Sequence, residues 1–112
     1  MEDRKSGETG KVGFMITGGK GFHITFENGV TASVQFGYAN YCENKEFSLN
    51  YHAELDIIKK EGGYFCPNAE VAAWDKDGRW VTKDVIQTGE DVAGWINPKG
   101  VLAFLIKCAK LK

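Results

Sequence analysis

Apolar and polar residues alternate on both sides of the Glu-Asn-Gly segment at residues 27–29, which is typical of a β-hairpin. A two-residue turn there would mix polar and apolar side chains on both faces. A three-residue loop with Gly29 in the left-handed conformation separates them. This second register sets opposite each other the apolar pairs Phe22–Val34 and Ile24–Ala32. We therefore predict a bulged hairpin over residues 20–36 with one uniformly apolar face.

The other face of this hairpin carries a row of polar side chains, which we call the polar row: His23, Thr25, Thr31, Ser33 and Gln35. In the predicted register Gly21 lies opposite Gln35, so we expect space above the glutamine side chain. Such a row is typical of the solvated face of an ordinary antiparallel sheet. It also suits the polar floor of a small binding site, and both interpretations stay open.

A second hairpin is predicted from similar turn chemistry at residues 76–78, Lys-Asp-Gly. A three-residue loop there sets opposite each other the pairs Asp75–Arg79, Trp74–Trp80, Ala73–Val81 and Ala72–Thr82. Glu70, Trp74 and Trp80 then share one face of the sheet. Paired tryptophans are usually packing contacts, but a carboxylate flanked by aromatic rings also suits a planar or cationic ligand.

The remaining segments are assigned from periodicity and turn residues. Residues 11–17 are predicted as a first strand, residues 83–89 as a turn-rich link and residues 91–96 as a last strand.

The long connection at residues 37–66 has two interpretations. Asn50 suits the N-cap of a short helix that ends at Gly62, with Leu55 and Ile58 facing inward, but residues 51–58 also fit an extended strand. Connections of this length usually have their own structure or a functional role.

The C-terminal segment is predicted to be an amphipathic helix. Asn97 suits its N-cap and Pro98 its first position, because proline already has the required φ. The apolar stripe consists of Val101, Leu102, Phe104, Leu105, Cys108 and Ala109. We expect this helix to cover the apolar face of the sheet. The predicted fold class is therefore α+β, an antiparallel meander of about five or six strands with one C-terminal helix packed on the sheet.

The composition fits a single globular domain at residues 11–112, preceded by a flexible tail at residues 1–10. Of the 112 residues 43% are hydrophobic and 26% charged, and a net charge of −1 gives no general attraction to nucleic-acid phosphates. No segment has the ~20 apolar residues of a membrane span or the pattern of a signal peptide. We expect a cytoplasmic protein that binds neither nucleic acid nor membrane. Homo-oligomerisation stays open.

No catalytic or metal-binding signature is found in the sequence. The three cysteines show no Cys-x-x-Cys spacing, and the two histidines add no zinc-ligand spacing. His23 beside Ser33 lacks an orienting carboxylate, and the glycines around Lys20 precede a strand rather than a phosphate-binding helix. We expect a protein that is not an enzyme, with no cofactor and no metal.

Four segments together resemble small proteins encoded by bacteriophages: residues 21–29 (GFHITFENG), 34–37 (VQFG), 40–42 (NYC) and 69–75 (AEVAAWD). The similarity spans about residues 20–105, and residues 43–66 look like an insertion relative to shorter members. The resemblance assigns no role to any residue. It implies a small non-enzymatic protein that acts in the host cytoplasm on host proteins or defence signals.

Two hypotheses of function follow. The first is a stoichiometric binder that sequesters a small polar or nucleotide-type ligand and so counters host immune signalling. Its candidate ligand-binding residues are His23, Ser33, Gln35, Asn40, Tyr41, Glu70 and Trp74. The second is a protein-interaction module that inhibits a host defence protein through exposed aromatic side chains, with a virion accessory protein as a further alternative. The aromatic residues considered for this surface are Tyr38, Tyr41, Tyr51 and Tyr64.

Overall fold

The structure, a computed structural model, describes residues 11–48 and 50–112, and the predicted tail lies outside them. Within these residues the strands are β1 (Gly13–Ile16), β2 (Gly21–Thr25), β3 (Thr31–Gln35), β4 (Ala69–Trp74) and β5 (Ala93–Ile96). The helices are α1 (Tyr51–Glu61), α2 (Thr82–Val85) and α3 (Pro98–Lys110). The strands form one antiparallel sheet in the order β1-β2-β3-β4-β5, with α3 packed on it. The predicted α+β meander is confirmed. In the described part of the chain, no helix is both long and apolar enough to cross a membrane.

The first hairpin has the predicted register. Its cross-strand pairs are Gly21–Gln35, Phe22–Val34, His23–Ser33, Ile24–Ala32 and Thr25–Thr31. The loop closes where the Phe26 N–H donates to the Val30 carbonyl at 2.9 Å, and Gly29 has a φ of +86°. Because only glycine adopts this conformation without strain, Gly29 fixes which residues face the core.

The second hairpin turn is also confirmed, since Gly78 has a φ of +82° and the Asp75 N–H donates to the Arg79 carbonyl at 2.8 Å. Trp74 and Trp80 pair across it.

The hairpin continues to the backbone bond from the Val81 N–H to the Ala73 carbonyl at 2.9 Å, and the chain then turns into α2. The predicted pair Ala72–Thr82 was therefore wrong, and the predicted turn-rich link at residues 83–89 was partly wrong. The reason is the buried hydroxyl of Thr82. It accepts the Ala73 N–H at 2.9 Å and donates to the Asp91 carbonyl at 2.6 Å. The Thr82 hydroxyl thus bonds to a backbone group of β4 in place of further strand pairing, and the chain leaves the sheet there.

The long connection contains α1, so the helix interpretation is correct and the strand interpretation is wrong. The Asn50 side chain accepts the Ala53 N–H at 2.8 Å, and Gly62 ends the helix with a φ of +82°. Leu55 is partly buried as expected, but Ile58 is exposed, which corrects the prediction that it faces inward. Since α1 makes few contacts with the sheet, its apolar face has little to pack against.

The hydrophobic core lies between the sheet and α3, with α2 at one end. Its buried members are Val30, Ala32, Val34, Ala69, Val71, Ala73, Val81, Val85, Ala93, Phe104 and Cys108. Asn97 caps α3 as predicted, accepting the Gly100 N–H at 2.8 Å. The buried stripe of α3 is narrower than predicted, because the helix packs mainly on β3, β4 and α2. Leu102 and Ala109, which we expected in the stripe, are exposed.

Gly29→Val should lower the free energy of unfolding by at least about 1 kcal/mol, because a β-branched residue resists positive φ. An added Cβ would also lie 3.2 Å from the Lys76 Cβ. The matched control is Gly89→Val, where the backbone is not left-handed and no atom of the described residues lies within 4 Å of the added Cβ. Urea unfolding of both variants measures the difference, and an equal loss in both would contradict the assigned loop.

Phe104→Ala should cost about 3–5 kcal/mol of stability, because it leaves a cavity between α3 and the sheet. Phe104 is 2% exposed, whereas Leu102 on the same helix is 59% exposed. Leu102→Ala should therefore change stability by less than about 0.5 kcal/mol. Thermal or urea unfolding compares the two, and a similar cost would contradict the packing of this helix.

Candidate functional site

Two rings meet over the middle of the polar row, and one of them is its own member His23. His23 on β2 and Trp74 on β4 are separated by β3, yet their ring centroids are 5.0 Å apart with an edge-to-face angle of 86°. The register places Thr31 and Ser33 of β3 between them, and both are buried. Small side chains on the middle strand thus let the two larger ones meet above it, and this part of the row is covered rather than solvated.

Side chains of the polar row bond to each other. The hydroxyls of Thr25 and Thr31 lie 2.7 Å apart. The carboxamide of Gln35 donates to the hydroxyls of Thr17 at 2.8 Å and Ser33 at 3.3 Å. These contacts satisfy the polar groups within the protein, so they stabilise this face and leave fewer of its groups free to bind a ligand.

The space expected above Gln35 is not open. The backbone of β3 runs so close to Gly21 that an added Cβ there would collide with the Val34 carbonyl oxygen. The carboxamide of Gln35 also lies 3.5 Å from the Phe22 carbonyl, across the strand pair. Gly21 therefore permits close packing of β2 on β3 and leaves no room for a ligand.

A second group of side chains lies where β4 and β5 meet the loop after β3. The Tyr41 ring stacks on Trp95 with centroids 5.8 Å apart and 20° between the planes. The Tyr41 N–H donates to Glu70 Oε2 at 3.1 Å, and Lys45 Nζ lies 5.9 Å from the Tyr41 ring centroid. Tyr41 and Trp95 are 40% and 53% exposed. We call Tyr41, Lys45, Glu70 and Trp95 the aromatic corner.

Backbone strain is concentrated at the aromatic corner. A β-bulge sets Gly94 and Trp95 opposite Glu70, and Trp95 has a φ of +51°. Ala39, two residues before Tyr41, has a φ of +71°. Throughout residues 11–48 and 50–112, these are the non-glycine residues with positive φ. Since bulky residues rarely adopt this conformation, the surrounding contacts must impose it on Trp95.

The strained segment is tied to the loop by close backbone contact. The Trp95 N–H donates to the Tyr41 carbonyl at 2.8 Å, and an added Cβ at Gly94 would lie 2.6 Å from the Tyr41 Cβ. Gly94 is therefore required for the loop to approach the strand.

The predicted site residues occur in separate contacts. His23 meets Trp74, Ser33 bonds to Gln35, and Tyr41 bonds to Glu70. Asn40 accepts the Gly37 N–H at 3.1 Å and shapes its own loop.

Sequence reasoning missed Trp95 and Lys45 as site residues. Trp95 was assigned to a strand but not to the site. The available signal was Gly94, because a glycine within a strand indicates a bulge or a close backbone approach.

A cavity of about 280 Å³ lies between the turn before β2, the start of the loop after β3 and the C-terminal end of α1. It is lined by Gly19, Lys20, Phe36, Gly37, Ile58, Gly62, Gly63 and Tyr64. Half of these residues are glycines, and Lys20 is the charged one among them. Gly62 and Gly63, which follow the end of α1, line this space, so the negative end of the helix dipole is close to it and weakens the attraction of Lys20 for an anionic ligand. Its few polar side chains make it a weaker candidate than the aromatic corner.

The charges at the aromatic corner are mixed. Lys45 Nζ lies 3.6 Å from Glu46 Oε1, and Glu70 adds a second carboxylate. In the described residues, no three His, Cys, Asp or Glu side chains cluster closely enough to hold a metal ion.

No family model, curated protein or solved structure matches this chain. The resemblance to phage proteins therefore stays a prediction. The structural indications of function come from the described residues, and the strongest of these lie at the aromatic corner.

Burial lowers the pKa of His23, because the covered imidazole loses solvation of its charged form. The unfolded chain then binds a proton before the folded one does as the pH falls through about 6.5. We expect wild-type stability to fall relative to His23→Gln between about pH 8 and pH 5, in urea unfolding at each pH. A difference between the two proteins that did not change with pH would contradict the covered imidazole.

Proposed function

We propose that this protein is a non-enzymatic binder that holds a planar, polar ligand of the nucleotide type at the aromatic corner. The observation that carries this proposal is Trp95, a half-exposed ring on a strained backbone. Positive φ at a non-glycine residue costs about 1–3 kcal/mol, and such strain is concentrated at ligand clamps and active sites. Glycine at this position would remove the strain, so the ring is retained at a cost in stability.

The exposed stacked pair suits a nucleobase. Bases stack on aromatic side chains with a gain of about 1–3 kcal/mol each, and the Tyr41–Trp95 pair supplies a preformed aromatic surface. A carboxylate such as that of Glu70 accepts several hydrogen bonds and suits the exocyclic amino group of a base. These groups favour an amino-bearing base such as adenine.

The charge balance favours a ligand with few phosphates. Lys45 Nζ lies 5.9 Å from the Tyr41 ring centroid, and it already contacts Glu46. Glu70 would repel a polyphosphate placed beside it. We therefore propose a nucleoside or a nucleotide with one phosphate, the phosphate lying toward Lys45.

Binding of this kind requires no chemical step, so the effect on a signalling pathway would be stoichiometric. A protein that held a nucleotide-type immune signal would lower its free concentration in the host cytoplasm. This is the anti-defence role that the resemblance to phage proteins implies, and it belongs to the same proposal.

A protein-interaction role is the alternative, favoured by the edge strand β1. Phe14 and Ile16 lie on the apolar side of the sheet, beyond the area on which α3 mainly packs, and are 77% and 83% exposed. An extended segment of a host defence protein that paired with β1 would cover this apolar edge. Under this alternative Ile16→Lys removes inhibition of the host protein and Trp95→Gly leaves that inhibition intact. Ligand capture requires the reverse.

Trp95→Gly should weaken binding of adenosine and adenosine monophosphate by about tenfold or more, because it removes the stacking surface. Stability should change little, since relief of about 1–3 kcal/mol of strain offsets the lost stacking. The matched control is Trp80→Ala, which removes a ring that is 52% exposed but lies outside the corner. Calorimetric titration and thermal unfolding of the three proteins measure both effects.

Lys45→Ala in the same titration should weaken the monophosphate and leave adenosine unchanged. Equal affinity of wild type and Trp95→Gly for adenosine would contradict the proposal. Absence of measurable binding by the wild type would also contradict it and favour the protein-interaction alternative.

A further inference from the structure

Two cysteines lie in adjoining loops beside the aromatic corner. Cys42 directly follows Tyr41 and is buried, whereas Cys66 precedes β4 and is partly exposed. Both carry free thiols, and the Cys42 thiol donates to the Gly37 carbonyl at 3.6 Å. Burial raises the pKa of Cys42, and the neighbouring Cys66 thiol acts in the same direction. The two residues come from opposite ends of the long connection and are brought together by the fold.

The segments on both sides of this pair are fastened to each other. The Glu43 N–H donates to Asn68 Oδ1 at 2.8 Å, and Asn44 Nδ2 donates to the Phe65 carbonyl at 3.3 Å. The Cys66 thiol donates to the Asn68 carbonyl at 3.1 Å. The two cysteines are therefore held in adjoining, hydrogen-bonded loops, and a disulfide between them requires the two thiols to leave their carbonyl partners.

We propose that Cys42 and Cys66 form an intramolecular disulfide by exchange with a low-molecular-weight disulfide such as oxidised glutathione. The Cys66 thiolate attacks one glutathione sulfur, forms a mixed disulfide and releases the first glutathione thiolate. The Cys42 thiolate then attacks the Cys66 sulfur and releases the second. Each cysteine gives up one proton, and the two electrons pass to the glutathione disulfide, which leaves as two reduced glutathione molecules.

The order of the two steps follows from exposure, because an external disulfide reaches Cys66 before the buried Cys42. Burial also raises the pKa of the Cys42 thiol, and the neighbouring Cys66 and Glu70 act in the same direction. The second step should therefore be the slower one and should accelerate as the pH rises and more Cys42 ionises.

The disulfide would close a loop of about 25 residues that contains α1, and it would fasten the Tyr41 loop to the start of β4. This consequence does not depend on which ligand the aromatic corner binds. It makes the long connection a redox-sensitive part of the fold.

The test is incubation of the full chain with oxidised glutathione, followed by alkylation under denaturing conditions and peptide mass mapping. We expect one internal disulfide between Cys42 and Cys66, a loss of two hydrogen atoms in mass and an alkylated Cys108. Cys108 is an internal control, because burial raises the pKa of its thiol to about 12 and excludes the reagent. The oxidised protein should melt about 10 °C higher than the reduced one.

Cys42→Ser should stop at the glutathione adduct of Cys66 and show no such rise in melting temperature. Cys108→Ser should react like the wild type. A wild-type protein that keeps the glutathione adduct on Cys66, forms a disulfide-linked dimer or retains both thiols would overturn the proposal. Because the readouts are mass and melting temperature, failure here leaves the proposed nucleotide binding unaffected, and the reverse also holds.

Discussion

The conformation of the loop at residues 27–29 determines both the faces of the sheet and the position of the last helix. With Gly29 at a φ of +86°, the hairpin puts its apolar side chains on one side. In the same loop Asn28 Nδ2 donates to the carbonyls of Cys108 at 2.9 Å and Leu111 at 2.8 Å. Carbonyls at the end of a helix have no partner within it. One loop therefore sets the sheet register and holds α3 over the face that this register makes apolar.

The polar face follows from that register and has a consequence for function. Because small side chains on β3 let His23 and Trp74 meet above them, the middle of this face is closed. Exposed aromatic surface lies further along, where the bulge of β5 turns Trp95 toward the Tyr41 loop. Regular strand pairing thus closes the middle of this face, and the accessible aromatic side chains lie where the pairing is interrupted. Bulges are found next to binding sites for this reason.

The sequence was sufficient wherever the deciding interaction was local. The loop glycines and the cap at Asn97 act within a few residues, and the structure confirms them. The cap at Asn50 belonged to one of two interpretations, and the structure selects that one. It was insufficient where the partner is distant. The hydroxyl of Thr82 ends the second hairpin only because Asp91 lies beside it, and the width of the α3 stripe depends on which strands the helix reaches. The aromatic corner joins residues 41 and 95, and Gly94 indicated a close approach there without identifying what approaches.

The aromatic corner is held together mainly through backbone groups. The N–H groups of Tyr41, Glu43 and Trp95 bond to Glu70, Asn68 and the Tyr41 carbonyl, respectively. These bonds do not require particular side chains at positions 41 and 95, so the rings there can contact a ligand without also positioning the loop. The strain at Trp95 and the free exposure of its ring are then two results of one arrangement. The backbone contacts impose the left-handed conformation, and the ring stacks on Tyr41 with about half of its surface exposed.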